Sequence, residues 1–168
     1  MKYHNITKHD MLNGEGLRVV LWVSGCEHRC DGCHNKITWD INCGLEFDEV
    51  AEQEIFDELS KEYVSGITFS GGDPLHTLNR EEIGKLIYKI KERYSDKSIW
   101  IYTGYLWEDV CELDFIKEAD VLVDGRFVKD MQDRNLFWRG SSNQRVINIK
   151  ETLTSGKIVH YITEGETV

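Results

Sequence analysis

No stretch of this sequence is apolar over anything near the ~20 residues that a bilayer-spanning helix needs, and its first ten residues, Met1 to Asp10, lack the apolar core of a secretory signal. Positive charge is scarce as well. With 20 Lys and Arg against 30 Asp and Glu, the formal net charge is -10, the wrong sign for a surface that tracks a phosphate backbone. No membrane and no nucleic acid are therefore expected as partners, and a cytoplasmic location is. There is one proline, no internal repeat and no low-complexity tract, so nothing marks a flexible linker. Five cysteines, an odd number with three crowded together, do not read as a disulfide framework. A reducing compartment would leave them available as metal ligands.

What is present suits one compact domain over residues 1–168, long enough to bury a single core. Five Trp, seven Tyr and six Phe supply aromatic mass for that core, and a hydrophobic fraction of 40% excludes disorder. Leu17 to Val23 is a nearly continuous, β-branched apolar run, as expected of a strand buried on both faces. Further strands are predicted at Ile67–Phe69, Ile99–Tyr102, Val121–Val123 and Arg145–Ile149, and Lys157–Ile162 alternates weakly enough to suggest an added edge strand. Between them lie helical periodicities: 46–63, a stripe from Ile83 to Tyr94 with Asn79 placed to cap it, and a shorter helix from Trp107 to Lys117. Strands alternating with helices imply right-handed crossovers and a parallel sheet. A closed eight-stranded barrel takes ~250 residues, so the expected fold is α/β, an open partial (β/α) barrel of about five to six mostly parallel strands. The polar stretch Lys129 to Asn143 reads as a long functional loop.

Each unusual cluster follows a predicted strand directly: Cys26, Cys30 and Cys33 after the first, Gly71-Gly72-Asp73 after the second, Thr103-Gly104-Tyr105 after the third and Asp124-Gly125-Arg126 after the fourth. The C-terminal ends of parallel strands form one rim, where ligands bind. Three closely spaced thiols with no obvious fourth suit a cubane iron–sulfur cluster with one open iron. A closed zinc site using Cys43 or His34 is the bland alternative, with the chain then a non-catalytic interaction module. Taken singly, Gly71-Gly72-Asp73-Pro74 and Asp124-Gly125 are also ordinary turns, and Arg126 an ordinary surface cation. Trp100 goes to packing, Cys111 to a small buried hydrophobe and Cys43 to an exposed loop. His4, His9, His28 and His76 are expected in solvent, and the acidic run Glu46 to Glu62 on a solvated helix face.

The spacing C-x3-C-x2-C is the radical S-adenosylmethionine signature. Joined to Asn13–Arg18, Ser70–Leu75, Trp100–Tyr105, Asp120–Phe127 and Arg139–Gln144, it resembles the glycyl-radical activases, in particular those of the anaerobic ribonucleoside-triphosphate reductase. That resemblance implies that Cys26, Cys30 and Cys33 hold a 4Fe-4S cluster whose fourth iron takes S-adenosylmethionine. Reductive cleavage would give a 5'-deoxyadenosyl radical that removes hydrogen from a glycine of the reductase large subunit, with flavodoxin or ferredoxin as electron donor. The glycine-rich turn Gly71-Gly72 would approach the methionine ammonium, with Asp73 as its acidic partner. Arg126 would bind the carboxylate, Ser142 and Asn143 the ribose or carboxylate, and Tyr102 and Thr103 would line the adenosine pocket. Gly32 stands where many superfamily members carry an aromatic residue. A minimal enzyme acting on another glycyl-radical protein or on a small molecule is the second reading.

Overall fold

A computed structural model describes residues 1–162. In chain order it holds β1 (Lys2–Asp10), β2 (Arg18–Val23), β3 (Leu45–Glu46), α1 (Glu49–Leu59), β4 (Gly66–Gly71), α2 (Arg80–Arg93), β5 (Ser98–Tyr102), α3 (Trp107–Val110), β6 (Val121–Asp124), β7 (Arg145–Asn148) and α4 (Ile149–Ser155). The strands form one open sheet in the order β3-β1-β2-β4-β5-β6-β7. The four central strands, β2, β4, β5 and β6, are parallel, as their buried apolar runs imply.

Seven strands rather than five or six are present, and the sheet is mixed. β1 pairs antiparallel with β2 and with β3, and β7 pairs antiparallel with β6. β1 escaped the sequence reading because Ile6 is its one fully buried residue. Lys157–Ile162 supplies no strand, although His160 makes an isolated bridge to Ile147 and the Tyr161 N–H donates to the Val146 carbonyl.

Period-two alternation gives the sheet two different faces. Val19, Leu21 and Val23 of β2, Ile67 and Phe69 of β4, and Ile99 and Ile101 of β5 pack against Ile55 and Leu59 of α1 and Ile83, Leu86, Ile87 and Ile90 of α2. The other face carries Trp100, Val121, Val123 and Val146, with Tyr102, Trp138 and Tyr161 against them. Trp100 is 1% exposed and meets the rings of Trp138 and Tyr161 edge-on, 5.7 and 5.1 Å between centroids.

Arg18 anchors the far ends of the parallel strands on this second face. Its side chain is fully buried and its five N–H groups all find neutral acceptors: Nε on Thr68 Oγ1, Nη1 on Glu15 O and Ser98 Oγ, Nη2 on Ile67 O and Ser98 O. Burial pushes its guanidinium down to about 10, so it stays charged at neutral pH, and the Trp100 ring lies 5.3 Å from it.

Helix boundaries follow local chemistry. Asp48 caps α1 by accepting from the Val50 and Ala51 N–H groups at 3.1 and 3.0 Å. Asn79 occupies the N-cap position of α2 without capping it. Its buried amide instead donates to the carbonyls of Ser24 at 2.8 Å and Asp73 at 3.2 Å, joining two rim loops. The helix expected from Trp107 to Lys117 breaks into α3 and a separate 3-10 turn, Asp114–Glu118, and leaves Cys111 at the end of α3, packed against the core.

Candidate iron–sulfur site

The three-cysteine loop leaves β2 at Ser24 and is fixed on both sides by backbone bonds. Gly25 donates to Thr38 O at 2.7 Å and Cys26 to Trp39 O at 3.1 Å, while the Asp73 N–H donates to Gly25 O at 2.7 Å and the Gly72 N–H to Val23 O at 2.8 Å. Two glycines permit this approach. A Cβ on Gly72 would lie 2.5 Å from Gly25 O and 2.9 Å from Thr38 O, and one on Gly71, whose φ is +103°, would lie 2.7 Å from Val23 N and O. In this structure the glycine pair therefore meets the cysteine loop itself.

Cys26, Cys30 and Cys33 are all free and partly buried. The Cys33 N–H donates to Cys30 O at 3.2 Å and the Asn35 N–H to Cys33 Sγ at 3.3 Å. Burial raises the Cys26 thiol above its ordinary value. Among the described residues no three His, Cys, Asp or Glu side chains close on one point as a single ion requires. Tetrahedral zinc, with Zn–S of about 2.3 Å, draws its sulfurs within about 4 Å of one another. A cubane takes three thiolates on three separate irons, so three free thiols in one loop are the donor set that such a cluster takes. Neither expected zinc partner joins them: Cys43 is exposed, 3.6 Å from Asp40 Oδ2, and His34 is exposed beside Phe127.

Asp73 is the hub behind the loop. It is 1% exposed. Its Oδ1 accepts from the Leu75 N–H at 2.8 Å and from Thr103 Oγ1 at 2.9 Å; its Oδ2 accepts from the Gly104 N–H at 2.9 Å and faces His28 Nε2 at 2.8 Å. Both oxygens of Asp73 thus fasten the rim loops around the cysteine segment. His28 corrects the expectation of a solvent-exposed histidine: its side chain is 4% exposed. Spacing alone gave no sign of this, because the partner lies 45 residues away.

The remaining candidates fall in different places. Thr103 is buried with its hydroxyl on Asp73. Tyr102 packs into the aromatic cluster of the second face, where burial drives its phenol well above the usual range. Arg126 is exposed and its guanidinium has no partner among the described residues. It lines an open cleft of about 570 Å³ together with Glu27, His28, Gly104, Tyr105, Leu106 and Asp109. Asn143 Nδ2 donates to Arg126 O at 2.8 Å, holding the backbone that presents this cation, while Asn143 Oδ1 is buried without a partner. Ser142 is exposed, its N–H on Met131 O. The 126–143 segment also touches the cysteine loop: Phe127 and Lys129 lie against Gly32, and Lys129 is 3.5 Å from Asp31. A side chain at position 32 would press on the Phe127 ring, 3.3 Å from its Cβ, at a φ of +74° that favours glycine.

Comparison with known proteins places this arrangement. The family described as "4Fe-4S single cluster domain" matches residues 12–147. Anaerobic ribonucleoside-triphosphate reductase-activating protein of Enterobacteria phage T4 is 45% identical over 146 residues, 87% of this chain and 93% of its own length. The proteins of the same name from Escherichia coli and Haemophilus influenzae are each 42% identical over 89% of this chain, covering 100% and 99% of their lengths. The chain belongs to this family of reductase-activating proteins. A 4Fe-4S domain is thus present, and in this activating protein the described residues include no helix long and apolar enough to cross a membrane.

Proposed function

We propose that this chain activates the anaerobic ribonucleoside-triphosphate reductase by radical S-adenosylmethionine chemistry, with residues 1–168 acting as one domain and the open sheet as a partial (β/α) barrel. When bound, a 4Fe-4S cluster and S-adenosylmethionine supply one-electron cleavage of a carbon–sulfur bond, and the resulting 5'-deoxyadenosyl radical takes hydrogen from a glycine of the reductase large subunit. The protein supplies binding and geometry.

Cys26, Cys30 and Cys33 hold the cluster as thiolates. The Gly71-Gly72 turn keeps its backbone against their loop, and we assign its carbonyls to the methionine ammonium. Arg126 offers a forked cation to a carboxylate, and Asn143 fixes the Arg126 backbone. The hydroxyl of Ser142, exposed and without a partner among the described residues, is assigned with Asn143 to the ribose or carboxylate. Asp73 is the acidic partner of that ammonium, and Tyr102 and Thr103, the latter bonded to Asp73, line the adenosine pocket. A chain this short has few residues with which to roof the cleft, whereas a protein partner closes it and excludes water. The electron donor we assign is a flavodoxin or ferredoxin, and the location the cytoplasm.

The observation that carries this reading is that the loop of three free thiols and a cation without a partner among the described residues follow the C-terminal ends of strands in one parallel set, with Arg126 lining the same cleft as Glu27 and His28 of that loop. Anaerobic reconstitution should give brown protein with about four irons and four sulfides, lost when any of the three cysteines becomes alanine. Reduced protein, S-adenosylmethionine and the reductase together should give a doublet radical signal by electron paramagnetic resonance. Colourless protein, or cofactor cleavage with no signal on the reductase, would refute it.

A further inference from the structure

His28 sits between two of the three cysteines, yet neither the family resemblance nor the cluster chemistry assigns it a role. Its ring is held on three sides. Nε2 lies 2.8 Å from Asp73 Oδ2. The Gly104 backbone is so close beside it that a Cβ there would lie 2.3 Å from His28 Cδ2, the carbon next to Nε2. Tyr105 meets the ring edge-on, 4.6 Å between centroids at 75°. The next residue, Arg29, has φ +46°, an uncommon conformation for a long side chain; it turns the chain back outward immediately after His28 has been driven in. Asp73 accepts two backbone N–H groups, so its carboxylate is the acceptor and the histidine brings the hydrogen on Nε2. That leaves Nδ1, which is buried and bonds nothing among the described residues.

We propose that His28 is a positioning residue for the iron–sulfur cluster, a pin by which the Nε2–H···Asp73 bond fastens the middle of the cysteine loop to the ends of β4 and β5. The pin rests on the iron–sulfur reading above. It acts where main-chain bonds do not reach the rest of the fold: Gly25 and Cys26 are tied to the Thr38–Trp39 backbone, whereas the backbones of His28 and Arg29 bond Cys26 within the loop and, among the described residues, no main-chain bond carries residues 27 to 29 to another segment. Without it the loop that spaces Cys26 from Cys30 is held between its ends only by the exposed bond from the Tyr105 hydroxyl to the Glu27 carboxylate. Ligand-bearing segments depend on such outer contacts for orientation, and losing one commonly costs 10–100-fold in metal affinity.

The side-chain chemistry gives a test, because glutamine carries an N–H donor at the reach of Nε2 while lacking Nδ1 and the ring that meets Tyr105. Cluster-free wild-type, His28→Ala and His28→Gln proteins are treated with iodoacetamide, and modification of Cys26, Cys30 and Cys33 is followed by mass spectrometry. The same three proteins are then reconstituted and their clusters titrated for midpoint potential. Because alkylation tracks the opened population, loss of a charge-assisted hydrogen bond should speed it about tenfold in His28→Ala, with a shifted potential. His28→Gln should stay within about twofold of wild type in alkylation and keep the wild-type potential. Asp73→Asn, which sets an amide against the Leu75 and Gly104 donors, should behave like His28→Ala, and circular dichroism on all variants separates loop loosening from unfolding. Equal alkylation and equal potential in all folded variants would overturn the pin, as would His28→Gln failing alongside His28→Ala. Wild-type protein that assembles no cluster would instead overturn the reading beneath it.

Discussion

Replacing Gly72 by alanine tests whether the glycine pair serves the cysteine loop. The position has no positive φ that demands glycine, so the effect is steric: the new methyl would sit 2.5 Å from Gly25 O, 2.9 Å from Gly25 C and 2.9 Å from Thr38 O. All three are backbone atoms and cannot swing aside as a side chain would. Relief requires moving the loop, which breaks or lengthens the 2.7 Å bonds from Asp73 N–H to Gly25 O and from Gly25 N–H to Thr38 O. Overpacking of this kind costs about 1–3 kcal/mol, and two weakened hydrogen bonds add about 1 kcal/mol each. A total of about 3–5 kcal/mol corresponds to a melting temperature lower by roughly 10 °C for a protein of this size. Calorimetry on the cluster-free protein checks that figure, and iron analysis after reconstitution should show a deficit. Gly156→Ala is the matched control: Gly156 has φ +68° but nothing within 4 Å of the added methyl, so it costs about 1–2 kcal/mol of backbone strain and leaves iron uptake alone. Wild-type stability and full iron content in Gly72→Ala would show that the loop does not lie where this steric argument needs it.

Asn79→Asp should destabilise more than Asn79→Ala. Alanine forfeits the donors to Ser24 O and Asp73 O, about 2 kcal/mol, whereas aspartate buries a carboxylate against two carbonyls; a simple helix cap would rank the two the other way, and thermal melts decide. Arg126→Ala should weaken S-adenosylmethionine binding about tenfold or more with iron content intact, and equilibrium binding that is unchanged would remove Arg126 from the site. Glu108→Gln tests a surface network through pH. Arg145 holds the Glu108 carboxyl below its usual range, so the stabilisation is present above the unfolded value of about 4.3 and is lost as pH falls through the folded one. The half-exposed pair is worth only a few tenths of a kcal/mol, so urea titrations should show a small deficit for Glu108→Gln at pH 7 that vanishes near pH 3. A deficit of equal size at both would contradict the assignment.

Much of this fold is legible because the central strands are buried on both faces. Continuous β-branched runs can be read without context, and the observed β2 differs from the expected Leu17–Val23 by one residue. The four rim clusters follow from those strands, so the site region could be read along with them. What escaped are features whose cause is distant in sequence. β1 is polar and takes its conformation from pairing with β2. The capping pattern of Asn79 is real at the level of residue type, yet a buried amide with two carbonyls nearby is worth more as a donor than as a cap. His28 looked like any surface histidine until Asp73 was brought to it, and the loop contacts of Asp73 have no local signature in the sequence. In each case the residue type had two uses, and tertiary packing chose between them.

Two buried aspartates explain how so short a chain keeps its rim rigid. The C-terminal end of a parallel strand hands over to a loop whose first N–H groups have no strand partner, and burying them unpaired is costly. Asp73 receives those of Leu75 and Gly104, and Asp124, fully buried at the end of β6, receives that of Trp107 at 2.7 Å while Arg145 Nε bonds its other oxygen at 2.9 Å. The two hubs are joined. His28, on Asp73, packs against Tyr105, whose carbonyl accepts the Gly125 N–H at 2.9 Å, and Gly125 follows Asp124 directly. The contact path therefore runs from the cysteine loop around the strand ends to Arg126, the cation that faces the cleft. A rim closed by apolar packing alone would need bulk above the sheet that 168 residues do not provide. Polar hubs accepting several donors each do it with two side chains, and leave the surface above them open for a partner.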